Sequence, residues 1–205
     1  MITDMGTRRY TLRKRAEAQE DTRARIVDAM IEVHRDLGPR NATVSAIAER
    51  AGVQRLTVYR HYPDDASLFE ACTSTWLQRN PPPDAAEFEG VSDPVARTRQ
   101  GLEALYAYYA RTQRMWAVSY RDVGEVPALQ GPMAGFETWL DAYLQALLRG
   151  WRLRGRRRER LADTLALALR FHTWQTLDTR GLDDAAKAAL VMEWLAGVAG
   201  GRPAQ

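Results

Sequence analysis

The sequence predicts an all-α protein, and three observations indicate this fold class. Apolar residues recur at the three- and four-residue spacing of a helix face along most of the chain. Runs of β-branched residues are few, and no pair of short strands around a turn stands out. Proline and glycine divide the chain into segments of helical length. We therefore expect an N-terminal three-helix unit followed by a C-terminal helical bundle, with about nine helices in all.

Residues that start and stop helices set the predicted boundaries. Gly38-Pro39 ends the first helix, and good helix formers at 16–20 can extend it backwards. Thr43 is a natural N-cap for the second helix because its hydroxyl can accept a bond from a free backbone amide. Two prolines and a glycine within 127–132 interrupt the chain, and an arginine-rich connection covers 152–158. The predicted helices span residues 21–37, 44–51, 54–61, 65–79, 93–110, 113–123, 133–150, 160–179 and 183–198.

The sequence NPPPD at 80–84 marks the predicted domain boundary, because proline cannot continue a helix. This boundary would divide the chain into an N-terminal domain over residues 16–79 and a C-terminal domain over residues 80–205. Residues 1–15 are predicted to be a flexible basic arm, since arginine and lysine crowd this stretch and a single acidic residue opposes them. The helix over 65–79 leads to the boundary and is the expected mechanical link between the domains.

Composition narrows the classes of function. The chain has 205 residues, of which 45% are apolar and 27% charged, so it can bury a sizeable core and remain soluble. Its net charge of +3 is a weak indication of a polyanionic partner. Cys72 is the only cysteine, which excludes an internal disulfide and a cysteine-rich zinc site. No secretory signal and no apolar run of membrane-spanning length are present, so a cytoplasmic protein is expected.

No catalytic or cofactor motif is recognisable in the sequence. The three histidines lie on separate helices without a paired metal-ligand spacing. A glycine-rich phosphate loop, a Gly-x-Ser-x-Gly sequence and a credible carboxylate pair are all missing. We therefore expect neither an enzyme nor a protein that needs a metal or cofactor.

The most informative segment is TVSAIAERAGVQRLTVYRHY at 43–62. Ala48, Gly52 and Val58 have the spacing of a helix-turn-helix. The small residue lets a second helix cross closely, the glycine makes the turn at positive φ, and the β-branched residue fixes the second helix to the core. Such a unit presents one helix to the major groove of DNA. The alternative is a bare corner between packed helices, which would not account for polar residues at the start of the second helix.

This order of elements resembles the TetR family of one-component transcriptional regulators. The resemblance is carried by the helix at 21–37, by TVSAIAERAGV (43–53), by LTVYRHYPD (56–64) and by Leu68-Phe69. Beyond residue 90 only the number and rough length of the helices agree. The resemblance implies a twofold homodimer with an N-terminal domain that binds double-stranded DNA and a C-terminal ligand pocket. It also implies an interface made by the last two helices.

The resemblance assigns DNA contacts to seven residues. Thr43 matches a position that contacts phosphate at a helix cap, and Tyr59 and His61 match positions that touch the DNA backbone. The other four lie at the start of the recognition helix, where base edges are met: Gln54, Arg55, Leu56 and Thr57. Asp65 stands where the family usually carries a phosphate-binding lysine, and its carboxylate would repel DNA.

The chemistry of these side chains suggests which bases they read. Arg55 is the best candidate for a base contact because its planar fork can pair with O6 and N7 of guanine. Gln54 could pair with adenine or could merely cap the helix. Leu56 or the methyl group of Thr57 could meet a thymine methyl.

Five aromatic residues of the second domain are candidates for lining a ligand pocket: Trp116, Tyr120, Trp139, Tyr143 and Trp174. Their rings would suit a small lipophilic or aromatic effector, and their N–H and O–H groups would provide polar handles. The alternative is that they are ordinary core residues.

Two apolar stripes are candidates for the dimer surface. The stripe on the penultimate helix comprises Leu161, Leu165, Leu169, His172 and Thr176. The stripe on the last helix comprises Val191, Trp194, Leu195 and Val198. Both faces could instead be internal core. The arginines between 149 and 160 are expected to form a solvated connection.

These features together predict a DNA-binding regulator that binds an inverted-repeat operator as a homodimer and is released by a ligand. The resemblance favours a repressor over an activator. One alternative is a ligand-independent DNA-binding protein, which would have a solidly packed second domain. Another is an enzyme or small-molecule carrier that merely contains a helix-turn-helix, although the sequence supplies no catalytic groups for it.

Overall fold

The computed structural model describes residues 4–200, with the side chains of Tyr10 and of Leu12 onward. Over these residues the chain forms nine α-helices and no strand, which confirms the predicted all-α fold class. The helices are α1 (Asp4–Leu37), α2 (Val44–Ala51), α3 (Arg55–His61), α4 (Asp65–Arg79), α5 (Pro94–Asp122), α6 (Pro127–Leu148), α7 (Arg156–Ala168), α8 (Phe171–Asp178) and α9 (Asp184–Gly200). Two short 3-10 helices occupy Pro39–Asn41 and Ala85–Phe88.

Helix α1 begins earlier than predicted. Residues 4–15, expected to be an arm, are helical, and no proline interrupts the stretch from Asp4 to Leu37. Arg13 pairs with Glu17 one turn later at 2.8 Å, a spacing that favours helix. Arg13, Lys14 and Arg15 are exposed, whereas the side chains of Arg8 and Arg9 lie outside the described residues.

Two predicted helix breaks were wrong. Helix α5 is continuous through 111–113, where arginine, threonine and glutamine all permit helix and the Thr112 hydroxyl donates to the carbonyl of Tyr108. Helix α6 starts at Pro127, a first-turn position where the missing N–H costs nothing. It continues through Pro132, which forgoes only the one backbone bond to residue 128.

The predicted helix over 160–179 is instead two helices. Arg170 lies between α7 and α8 in an extended conformation, with φ −72° and ψ 140°. The Thr173 hydroxyl donates to the carbonyl of Leu167 at 2.7 Å and so replaces a lost helical bond. No proline or glycine announces this break. Helix α7 starts at Arg156, so part of the predicted 152–158 connection is helical.

The chain divides into two compact units. Unit 1 runs to Arg79 and also takes in Ala117–Pro132, and unit 2 comprises Asn80–Trp116 and the residues from Met133 onward. The chain first leaves unit 1 at the proline segment, but its return at 117–132 was not foreseen from the sequence. Helices α5 and α6 each contribute residues to both units.

The core of unit 1 joins α1 to the next three helices. Ile26 and Met30 of α1 are buried, as are Ile47 of α2, Val58 of α3 and Leu68 of α4. Helix α2 packs against the long α1 and α3 packs against α2, and this burial holds both in place because helices of seven or eight residues are not stable alone.

In unit 2, the two stripes considered for the dimer surface are mostly internal. Five of their residues are buried within the single chain: Leu161, Leu165, Leu169, Val191 and Leu195. Leu167 is the large apolar residue of α7 that is exposed, with 60% of its surface accessible. Of the helices described, none is long and apolar enough to cross a membrane.

Candidate nucleic-acid interface

Helix α2 is capped as its sequence predicts. Thr43 is extended, with φ −72° and ψ 151°, and its hydroxyl oxygen accepts a bond from the amide of Ala46 at 3.2 Å. The residue is exposed, and a hydroxyl that accepts one bond can still donate its proton. Thr43 can therefore cap α2 and donate to a phosphate oxygen at the same time.

The turn between α2 and α3 depends on Gly52. Its φ of 64° and ψ of 38° place it in the left-handed region, where only glycine carries no steric cost. The amide of Val53 then donates to the carbonyl of Ala48 at 3.0 Å and closes the end of α2. Ala48 and Val58 are both buried, so the roles predicted for these three residues hold in the fold.

The leading end of α3 is open to solvent. Gln54 and Arg55 are exposed, and Leu56 has 77% of its surface accessible. Gln54 occupies the N-cap position, yet its side chain makes no cap hydrogen bond, so its amide is not used to close the helix. Thr57 is half-buried beside these residues. Three different side chains can thus reach a partner from one helix turn.

The two predicted backbone contacts at the other end of α3 differ in exposure. Tyr59 has 43% of its surface accessible and stands on the solvent side. His61 is half-buried, and its Nε2 is covered without a hydrogen-bond partner among the described residues. Tyr59 is therefore better placed than His61 to meet a phosphate.

Acidic groups mark the start of α4. The Asp64 carboxylate accepts a bond from the amide of Ser67 at 2.7 Å, and this bond holds the pKa of Asp64 below its ordinary value. Asp65 is exposed in the first turn, where the helix dipole favours a negative charge. Asp64 and Asp65 therefore stabilise the start of α4 without any contact to DNA, and their negative charges do not attract phosphate.

Most arginines of unit 1 near the motif already have partners. Arg50 pairs with Glu32 at 2.9 Å and with Asp36 at 3.4 Å, and the hydrogen bond that it donates to Glu32 is the main reason that the pKa of Arg50 is raised. In contrast, Arg55 and Arg60 make no ion pair within the described part of the chain. Helix α3 therefore presents cations that are available to an anionic partner.

The turn between α1 and α2 is bonded to residues 122–125, a connection that the sequence did not predict. The amide of Arg40 donates to the Asp122 carboxylate at 3.1 Å, and the Arg40 side chain pairs with Glu125 at 3.0 Å. Gly38 adopts φ 88° where α1 ends. Asp122 is 82 residues away from Arg40, and no local pattern could have connected the two.

Four of the five predicted pocket residues belong to one aromatic cluster in unit 2. Trp116 stacks on Phe136 with ring centres 3.9 Å apart, and Phe136 is followed by Trp139 at 5.3 Å. Trp139 in turn lies 5.0 Å from Tyr143. Trp174 joins the same cluster through Tyr109, which contacts both Trp174 and Phe136. Tyr120, the fifth predicted residue, belongs to unit 1.

The polar handles of two cluster residues are occupied by the chain itself. The Tyr143 hydroxyl donates to the carbonyl of Gly101 at 2.9 Å, and burial raises its pKa. The Trp174 indole N–H donates to Asp184 at 3.2 Å, while the buried ammonium of Lys187 lies 4.9 Å above its ring. These groups stabilise unit 2 and are not free for a ligand.

A cavity of about 300 Å³ does occur in unit 2, away from the predicted residues. Its lining consists of three apolar and three charged side chains: Ala85, Glu89, Arg97, Ala146, Leu147 and Arg149. Glu89 and Arg149 pair across it at 3.2 Å. None of the five aromatic residues takes part in this lining.

Comparison with known proteins finds a likeness over the helix-turn-helix part of the first unit. Residues 26–72 match the family of bacterial regulatory proteins described as the tetR family. The HTH-type transcriptional regulator SrpR of Pseudomonas putida is 42% identical over 59 residues, which cover 29% of this chain and 28% of SrpR. The chain therefore matches little more than a quarter of the length of that relative.

Solved structures extend the likeness of the fold to most of the chain. A TetR-like transcriptional regulator from Rhodococcus sp. RHA1 superposes with a TM-score of 0.65 over 87% of this chain and 96% of that chain, at 21% identity. The multidrug binding protein EbrR, solved with imidazole, gives a TM-score of 0.56 over 89% and 97% of the two chains, also at 21% identity. These values establish a shared fold, including the second unit.

Proposed function

We propose that this chain, whose residues 26–72 match the tetR family of bacterial regulatory proteins, is a one-component transcriptional regulator that binds DNA through α3. The observation that carries the proposal is the exposure of Gln54, Arg55 and Leu56 at the start of α3 while Val58 anchors the same helix. This arrangement lets one end of a rigid rod enter the major groove.

In this proposal each exposed residue of α3 has a distinct role. Arg55 pairs with a guanine through its fork, and Gln54, whose amide is not used as a cap, pairs with an adenine. Leu56 packs against a thymine methyl. Thr43 and Tyr59 hold the register through phosphate contacts.

The basic N-terminal part of α1 adds charge for the phosphate backbone. Arg13, Lys14 and Arg15 are exposed on a helix rather than on the extended arm expected from the sequence. A helical extension follows the outside of a duplex more readily than it enters the minor groove. We therefore propose that residues 4–15 contribute non-specific affinity that weakens with salt.

The operator would be an inverted repeat bound by a homodimer. Two copies of α3 related by a twofold axis read half-sites about one DNA turn apart, roughly 34–36 Å. Leu167 of α7, exposed on the element before the last two helices, is the residue we assign to the dimer surface. The action would be repression in the cytoplasm, relieved when an effector favours a state with a different spacing of the two recognition helices.

Selection of bound fragments from random-sequence DNA tests the proposal. The full chain should enrich an inverted repeat with a half-site spacing of one helical turn. A variant with Gln54 and Arg55 both changed to alanine should enrich no sequence, although it still binds DNA weakly. Failure of the unaltered chain to enrich any sequence would remove the proposed function.

Effector binding is the less supported half of the proposal, and it has its own test. A small lipophilic or aromatic compound near the cluster should quench the tryptophan fluorescence, and Trp139→Ala should reduce the quenching because Trp139 is the half-buried indole of the cluster. EbrR, a structural neighbour, is described as a multidrug-binding protein, and so multidrug-type aromatic compounds are the first probes.

A ligand-independent DNA-binding protein is the second candidate function. It is favoured by the bonds that Tyr143 and Trp174 make to their own chain, because a closed cluster needs no ligand. This candidate predicts that no compound changes DNA affinity, whereas the effector-responsive regulator predicts a change of at least several-fold.

A further inference from the structure

The turn between α1 and α2 is bonded on both sides of Gly38 to residues at the end of α5. The amide of Arg40 donates to Asp122 Oδ2 at 3.1 Å, and Arg121 Nη2 donates to the carbonyl of Leu37 at 3.4 Å. Arg121 also grips Asp122 with two bonds, at 2.6 Å from Nε and 2.9 Å from Nη2. These groups form one connected clamp, defined as Arg121 and Asp122 on the turn at 37–40.

Gly38 is fitted to this clamp. Its φ of 88° is costly for any residue with a Cβ. A Cβ on Gly38 would also overlap the Arg121 guanidinium and would lie 2.6 Å from Asp122 Oδ2. The backbone of the turn therefore approaches the end of α5 as closely as a glycine allows.

The burial of Asp122 makes the clamp specific. The carboxylate is almost fully covered, and a buried charge persists only when it is paired and hydrogen-bonded. Arg121 supplies the pairing that holds the pKa of Asp122 below its ordinary value, and the Arg40 amide supplies a further bond. Loss of the carboxylate would leave that amide without its partner.

The turn held by the clamp comes directly before the helix-turn-helix in the chain. Arg40 precedes Thr43, the cap of α2, by three residues, and the Gly52 turn carries α3 onward from α2. Asp122 is the last residue of α5, whose first part, Pro94–Trp116, belongs to unit 2. A continuous helix transmits displacement along its axis because its backbone bonds resist compression.

We infer that Asp122 is a positioning residue through which α5 sets the orientation of the helix-turn-helix. Its bond to the Arg40 amide fixes the turn, the turn fixes α2, and α2 fixes the end of α3 that meets DNA. A shift of α5 breaks the clamp and lowers DNA affinity. This inference rests on the proposed function, and it assigns the coupling to α5 in addition to the 65–79 helix.

Asp122→Ala in the full chain tests the inference by hydrogen exchange and DNA binding. Exchange should accelerate at Arg40 and through residues 38–46 while the buried turns of α1 and α4 stay protected. Affinity for a selected operator duplex should fall roughly tenfold at a temperature well below unfolding, as the loss of one charge-assisted bond predicts. The operator affinity of Asp122→Asn, which keeps one acceptor oxygen, should lie between that of Asp122→Ala and that of the unaltered chain.

Two control variants separate positioning from stability. Leu129→Ala removes a buried apolar side chain from the same segment and leaves every hydrogen-bonding group of the clamp in place, so it should lower the melting temperature but leave operator affinity unchanged. Glu125→Gln removes only the exposed ion pair to the Arg40 side chain and should change neither quantity.

The outcomes are distinguishable from failure of the proposed function. Equal affinity of Asp122→Ala and the unaltered chain for the operator would overturn the inference. An equal loss of affinity in Leu129→Ala at matched stability would overturn it as well, because the effect would then be one of folding. Absence of operator binding by the unaltered chain would instead defeat the proposed function, and the exchange data alone would still test the clamp.

Discussion

At the scale of single residues, availability decides which arginine can recognise DNA. Arg50 is held by Glu32 and Asp36, whereas Arg55, one helix later, has no acidic neighbour within pairing distance among the described residues. A guanidinium that already makes charge-assisted bonds would have to break them to bind a base. The difference assigns Arg50 to stabilising the α1–α2 packing and leaves Arg55 for recognition.

Arg55→Ala should reduce operator affinity by ~1–3 kcal/mol and relax the sequence preference at one position of each half-site. The reason is the loss of a bidentate pair with guanine. Affinity should be measured by titration of a fluorescent operator duplex and of a scrambled duplex at the same salt concentration. Arg99→Ala, an exposed arginine of unit 2, controls for the change in net charge. An equal loss on both duplexes would reassign Arg55 to phosphate binding.

His34 gives unit 1 a defined response to pH. Burial lowers its pKa to about 4 despite the opposing charge of Asp122, and its ring lies 3.7 Å from Cys72 Sγ and against Phe69. The folded state therefore keeps this imidazole neutral, whereas the unfolded chain binds a proton below pH 6.5.

The stabilisation from neutral His34 should be complete above about pH 6.5 and should disappear as the pH falls towards 4. The folded pKa is depressed, so the unfolded state binds more protons across this window, and stability rises with pH there. The expected loss is about 3 kcal/mol from the shift in pKa. Urea titrations at a series of pH values should show this slope, and His34→Gln should flatten it. Carboxylates whose pKa is lowered, such as that of Asp122, change the stability with pH only below about pH 4.

At the scale of helices and turns, the two positive-φ glycines of the helix-turn-helix region do different work. Gly52 has no atom within 4 Å of the place where a Cβ would lie, so its role is conformational alone. Gly38 combines the same conformational demand with close contact to the clamp. Glycine is required at both positions, but only at Gly38 does it also let another segment approach.

Gly52→Ala should cost roughly 1 kcal/mol of stability through left-handed strain, and Gly38→Ala should cost clearly more, about 2 kcal/mol or greater. Gly124→Ala is the matched control, since Gly124 has ordinary φ and open space around it, and it should stay within about 0.5 kcal/mol of the unaltered chain. Denaturant titration measures all three. Equal losses of stability in Gly38→Ala and Gly52→Ala would mean that Arg121 and Asp122 move away from the added Cβ without further loss of stability.

The elements that carry local signals were predictable from the sequence, and those defined by distant contacts were not. The Thr43 cap, the Gly52 turn and the burial of Val58 follow from residue types at fixed spacing. The break at Arg170 has no such signal. The closure of unit 1 by 117–132 depends on pairings like Arg40 with Asp122, which no periodicity encodes. The contacts predicted to DNA and to a ligand are likewise not encoded by periodicity, and they stay predictions.

At the scale of the whole molecule, the residue to which we assign the proposed dimer surface is not one of those predicted from the sequence. Leu165 and Leu195 belong to the core of unit 2, and Leu167, two residues from Leu165, faces solvent. A leucine exposed to this extent adds apolar area that a second copy could cover, so we centre the proposed dimer surface on Leu167.

Leu167→Glu should convert the proposed dimer to a monomer without loss of helical content, because the charge would be buried without a partner only in the dimer. Leu165→Glu should instead unfold unit 2, since Leu165 is buried in the single chain. Light scattering and circular dichroism distinguish the two results. Retention of a dimer by Leu167→Glu would place the interface elsewhere.

The sharing of α5 and α6 between the two units constrains how the gene could be cut and recombined. A polypeptide stopped at Arg79 would contain every residue of the helix-turn-helix, yet it would lack Asp122, and the amide of Arg40 would lose its acceptor. A chimaera that joins residues 1–79 at the proline segment to the C-terminal domain of another regulator would likewise lack the acceptor for the Arg40 amide. Modular exchange in this protein therefore requires three crossovers, after residues 79, 116 and 132, so that residues 117–132 are exchanged together with the first 79.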